Sequence, residues 1–185
     1  TLLNCNTVQG SILIHDSTDI VDVGALAQLT SINNGYFLAF NNAALENIQL
    51  PALQSLDTGF AAIDNPLLTD VNLPEVTTFK GDLTMRNNPV QTQIAIPKVE
   101  VLDNSDIIIE GEVKVVSFGN LILGDVPALT TLEGGFNALA EIRGFMWIFN
   151  TGLANFNGLQ LLTNIDNTGG AGQPNALLRA VKLNP

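Results

Sequence analysis

Positive charge is scarce in this chain. Seven Lys and Arg stand against 18 Asp and Glu, for a formal net charge of −11 over 185 residues. Binding a phosphate backbone needs clustered cations, so no nucleic-acid partner is expected, and adsorption to an anionic membrane surface is disfavoured. A lone cysteine, Cys5, excludes a disulfide within the chain, and with the lone histidine, His15, it excludes a Cys/His metal cluster. A metal-free Ser/His/Asp site would have only His15 to use. Long apolar runs are missing too: no stretch of 18 apolar residues occurs, so no membrane insertion is expected. Thr1 is preceded by no Met and followed by no charged and then apolar leader, which suggests a processed secreted chain or an excised domain. Disorder is also excluded, because mean hydropathy is +0.28 and only 14% of residues are charged.

What the chain does have is a period. The corner residues Asn42, Asn65, Asn88 and Gly111 recur every 23 residues. Leu50-Pro51, Leu73-Pro74 and Ile96-Pro97 keep the same register, as do Leu53, Val76 and Val99, then Leu56, Phe79 and Leu102. The repeats are clearest over 34–111, and weaker copies extend the pattern upstream from Gly10 and downstream through Gly119–Leu123 and Gly144–Asn150. The spacing fails between Gly111 and Gly119, which reads as an irregular insertion.

Apolar runs of about four to six residues separated by Asn, Gly and Pro are strand-and-turn punctuation, and a Pro in each repeat forbids a long helix. A unit this short cannot bury its apolar side alone, so it must stack on its neighbours. The sequence therefore predicts one all-β domain over 1–185. Its expected fold is a right-handed single-stranded parallel β-helix, a solenoid of about seven to eight rungs. Strands are expected at 11–15, 36–41, 60–64, 82–87, 106–110, 120–124 and 144–149, with a short capping helix over Asn175–Lys182. The corner Asn has two expected tasks, tolerating left-handed backbone and bonding up and down the stack.

These residues resemble a known family. Cys5-Asn6-Thr7-Val8-Gln9-Gly10-Ser11-Ile12-Leu13-Ile14 is similar to the opening of receptor L-domains. Leu29–Leu38 and Leu139–Ile148 resemble that family's L-x-x-I-x-G-x-L-x-I step, and Asn41-Asn42-Ala43-Ala44-Leu45 its corner. The resemblance spans Cys5 to about Ile165, and generic leucine-rich repeats share part of the spacing. It implies a β-helical ligand-binding module of the kind found in growth-factor receptor ectodomains and fungal cell-surface proteins. Members commonly pair the opening Cys, whereas Cys5 has no partner in this chain, and the terminal disulfide-rich cap is absent. None of the 21 Asn residues begins an Asn-x-Ser/Thr sequon.

Chemistry-bearing residues are few. His15 beside Asp16 reads as a solvated corner histidine, because no positioned nucleophile accompanies it. Cys5 lacks electropositive neighbours and reads as a structural thiol, unpaired or paired outside the chain. Asp103, Asp106, Glu110 and Glu112 match no calcium-loop spacing and read as a solvated acidic corner. If Phe37/Ala39, Phe60/Ala62 and Leu83/Met85 point inward, then Leu38/Phe40, Ala61/Ile63, Thr84/Arg86 and Ile107/Ile109 point outward. Those outward columns hold no carboxylate pair of the kind a glycosidase needs. They are apolar where a wet face would be polar, which marks an interaction surface, a surface covered by other chain, or a shifted register. Tyr36 is a candidate interface anchor, and Trp147 is expected in the core with an interface role as its alternative.

The expected function is a noncatalytic, cofactor-free recognition module, extracellular or at the cell surface, that binds a protein or glycan. The candidate binding residues are Leu38, Phe40, Ile63, Thr84, Arg86 and Ile109, with no catalytic and no metal-binding residue. A homo-oligomer or flanking domains covering the face are compatible with it. A carbohydrate-active β-helix enzyme and a structural subunit of a surface layer are the alternatives, and a carboxylate pair or a bound metal in a groove would favour the enzyme.

Overall fold

The 23-residue period becomes one circuit of a coil. The computed structural model describes residues 5–99, 101–102, 120–144, 146–165 and 178–181. Seven strands stack side by side in one broad sheet: Ile12–His15, Tyr36–Phe40, Gly59–Ile63, Asp82–Arg86, Leu121–Val126, Met146–Thr151 and Leu178–Val181. Every neighbouring pair is parallel. The described residues thus form an all-β solenoid of about six turns. Shorter parallel strands form the other walls. They include Ser31–Asn33 on Ser55–Leu56, Asn47–Gln49 on Asp70–Asn72, and Glu141–Ile142 on Asn164–Ile165. Among the described residues the only helical turn is a 3-10 segment, Gly24–Leu26.

Alternation along each broad-sheet strand sends one side chain in and the next out. Phe37, Phe60, Leu83 and Leu121 form one buried column, and Ala39, Ala62, Met85 and Leu123 form a second. The Phe37 and Phe60 rings stack with centroids 4.8 Å apart. The apolar residues before each proline, Leu50, Leu73 and Ile96, are fully buried and close the core from the far wall.

Two adjacent corner positions divide the tasks expected of one Asn. Asp16, Asn41, Asp64, Asn87, Asp125 and Asn150 lie within one residue of the C-terminal ends of six successive broad-sheet strands, with φ between 47° and 57°. Asp and Asn are the side chains that tolerate this left-handed region best. Their Asn side chains donate to the Asp before them: Asn41 to Asp16, Asn87 to Asp64 and Asn150 to Asp125. The next residue, Asn42, Asn65 or Asn88, is buried and builds the internal ladder. Asn65 Oδ1 accepts the Asn42 backbone N–H at 3.1 Å and Asn42 Nδ2 at 3.0 Å. Asn65 Nδ2 donates to the Ala39 and Ile63 carbonyls at 3.1 and 3.0 Å. Gln91 Oε1 closes the ladder by accepting from Asn88 Nδ2, and the same position then holds buried Val126 and Thr151.

Two expectations about elements change. Asp82–Arg86 pairs directly with Leu121–Val126, Leu83 beside Leu121, so a step of 38 residues replaces the step of 23. No strand stands between them in the broad sheet, and the expected strand 106–110, with Ile107, Ile109, Gly111 and the acidic corner, lies outside the described residues. The expected helix at Asn175–Lys182 is replaced over Leu178–Val181 by a strand paired with Met146–Phe149. A parallel edge strand leaves its N–H and C=O groups unpaired, and adding a strand satisfies them where a helix would not.

Candidate functional site

The broad sheet's outward side is the most distinctive surface. Strand register places its side chains in columns along the stack. The middle column runs Leu13, Leu38, Ala61, Thr84, Ile122 and Trp147. Next to the corners runs His15, Phe40, Ile63, Arg86, Gly124 and Phe149. On the other margin Tyr36, Gly59 and Asp82 stand in line. Leu38, Ile63 and Thr84 are half-buried, while Phe40 and Arg86 are exposed. The structure thus brings five of the six candidate residues onto one face, and Ile109 lies outside the described residues.

Large apolar groups stand in solvent here. Leu13 is 57% exposed, Tyr36 45%, and Phe40 and Trp147 39% each. Trp147 therefore faces outward, contrary to the core position expected for it. Its ring meets Phe149 with centroids 4.8 Å apart. Phe149 in turn lies over Gly124, where an added Cβ would come within 2.2 Å of the ring. The aromatic pair is held by the absence of a side chain one strand below.

Polar chemistry on the face is sparse and specific. Arg86 makes no ion pair and no side-chain hydrogen bond among the described residues, whereas Lys80, Lys98 and Arg143 are each ion-paired. Asp82 is held at the opposite margin by Asn120, whose backbone N–H and Nδ2 both donate to its Oδ1, at 3.2 and 3.0 Å. Burial raises the Asp82 carboxyl above its ordinary pKa, and the Asn120 bonds oppose that rise only in part. His15 is exposed and bonds Asp16 through Nδ1 at 3.0 Å. That bond first, and the Asn41 amide second, lower the Asp16 pKa. Cys5 is half-buried and bonds the Thr7 carbonyl.

Sequence reasoning missed Leu13, Ile122, Phe149 and Asp82. The first three share the parity of residues it chose, on strands outside the clearest repeats. Asp82 shares the parity of Thr84 and Arg86 on the same strand, and the signal was available by counting back two residues. No protein-family profile, curated protein or solved structure matches the chain.

Proposed function

We propose that this chain is a noncatalytic recognition module that binds a protein or glycan through the outward face of its broad sheet, outside the cell or at its surface. The observation that carries the reading is a parallel sheet whose solvent side presents Leu13, Tyr36, Phe40 and Trp147 in place of polar residues. A solenoid has no geometric need for apolar side chains there, and leaving each about half in water forgoes roughly 1 kcal/mol of burial. Aromatic anchors around an arginine are the groups that dominate recognition interfaces. The resemblance to receptor L-domains supports the same reading. A right-handed coil is part of it, because parallel crossovers are right-handed almost without exception. So are seven to eight rungs, one or two more than the six turns of the described coil.

The test is the double variant Ile63→Asp with Arg86→Glu, checked for folding by circular dichroism. Parent and variant are compared for binding to arrays of immobilised ectodomains and glycans. The parent is expected to bind and the variant to lose at least about tenfold in affinity. Equal binding by both would overturn the reading.

A further inference from the structure

The outward face is complementary to itself. We propose that the chain forms a two-fold homodimer, sheet face against sheet face, with the axis along the Leu38–Ala61–Thr84–Ile122 column. This rests on the reading of that face as the recognition surface, and it names the partner as a second copy of the chain.

The argument starts on one strand. Asp82, Thr84 and Arg86 share the outward side, with Thr84 midway between an acid and a base. An axis parallel to the stack keeps each circuit at its own level and reverses the strand direction. Arg86 then faces Asp82 of the second copy, and the symmetry makes that pair twice. Both groups have capacity for it. Among the described residues the Arg86 side chain has no partner, and the Asp82 carboxylate accepts through Oδ1 alone. The same operation sets Ile63 over Gly59, a large side chain against none, and Phe40 against Tyr36. Leu13, Leu38, Ile122 and Trp147 meet their own copies along the axis.

Size and packing agree. Seven strands at about 4.8 Å spacing, each about five residues long, give a face of about 29 Å by 16 Å. Two such faces bury on the order of 1,000 Å², the lower bound for a biological interface. Aligned sheets packing about 10 Å apart are an established way to cover apolar faces. The interface is isologous and closes after two copies, so it does not propagate into fibres.

Charge exchange tests this. The parent is expected to sediment as a dimer at micromolar concentration, and dilution should red-shift the emission of Trp147, the only tryptophan. Arg86→Glu places an acid opposite Asp82 at both symmetric contacts, and Asp82→Lys places a base opposite Arg86 at both. Each variant alone should weaken dimerisation by at least about tenfold, and mixing the two should restore it, because every facing pair is then opposite in charge. If Asp82→Lys fails to fold, Thr84→Lys and Thr84→Glu replace the pair. Thr84 lies on the axis, so each repels itself and the mixture attracts. A parent that stays monomeric, or a dimer indifferent to all these changes, overturns the proposal. A monomeric parent that still binds an arrayed ligand through Ile63 and Arg86 refutes the homodimer alone and leaves the recognition reading intact.

Discussion

The polar residues that matter for stability are amides placed where backbone would otherwise be orphaned. Asn65 is fully buried and makes bonds to the circuits on both sides of it. Asn65→Ala leaves the Asn42 N–H without its acceptor and takes one donor from the Ala39 carbonyl, while the Ile63 carbonyl keeps the Asn41 N–H; a buried orphan costs about 1–3 kcal/mol. We expect the variant to lose about 1–3 kcal/mol in urea unfolding, and a midpoint equal to the parent's would show that the ladder is dispensable. Asp82 behaves in the opposite sense. Its folded pKa lies above the ordinary 3.8, so its stabilising contribution is complete below the unfolded pKa and is lost as pH rises through the folded one. Asp82→Asn keeps a neutral group that still accepts from Asn120 through Oδ1. In dilute, monomeric protein the variant should match the parent near pH 3 and exceed it at pH 7. A variant less stable than the parent at pH 7 would show that the carboxylate's charge is needed there.

At the scale of elements, two glycines separate backbone need from side-chain need. Gly81 has φ +82° and an added Cβ would lie 1.7 Å from the Thr58 carbonyl oxygen. Gly124 has an ordinary backbone conformation, and the three atoms nearest its added Cβ all lie at the far end of the Phe149 ring. Gly81→Ala should therefore cost at least about 3 kcal/mol, because the turn backbones leading into two neighbouring strands must move. Gly124→Ala should cost about 1 kcal/mol or less, while displacing Phe149 and changing Trp147 emission and the near-ultraviolet dichroism of the pair. If both variants lose equal stability, Phe149 is fixed rather than a side chain that can yield. The in-and-out parity of residues 36–86 was legible, because three circuits of equal length repeat the same apolar columns. The neighbour of Asp82–Arg86 was not, because a solenoid tolerates insertions between strands and sequence spacing stops reporting spatial adjacency. Leu178–Val181 reads as helix in sequence because four residues hold too little periodicity to separate the two. The open edge of Met146–Thr151, invisible in the local sequence, decided the outcome.

For the molecule as a whole, the candidate face was partly legible and its partner was not. Parity selects Leu38, Phe40, Ile63, Thr84 and Arg86, but complementarity depends on residues brought together by stacking, such as Leu13 beside Leu38 and Trp147 beside Ile122. The net charge of −11 sets the remaining whole-molecule property. Asp16, Asp64 and Asp125 stand along one corner, separated by the circuits of Asn41 and Asn87, so neighbouring carboxylates sit two strand spacings apart, about 9.6 Å. That is close to one Debye length at 0.1 M salt, the range in which screening changes most. Ion pairs such as Lys80–Asp57, Lys98–Glu75 and Arg143–Glu141 are at the surface, and each is worth at most about 1 kcal/mol before salt weakens it. Repulsion among the surplus acids is spread over many more pairs and is relieved by the same salt. Raising NaCl from about 10 mM to about 200 mM should therefore raise the Tm of dilute protein by a few degrees. A Tm that falls with salt would mean that the ion pairs outweigh the acidic surplus and that the alternating Asp–Asn corner already suppresses the repulsion.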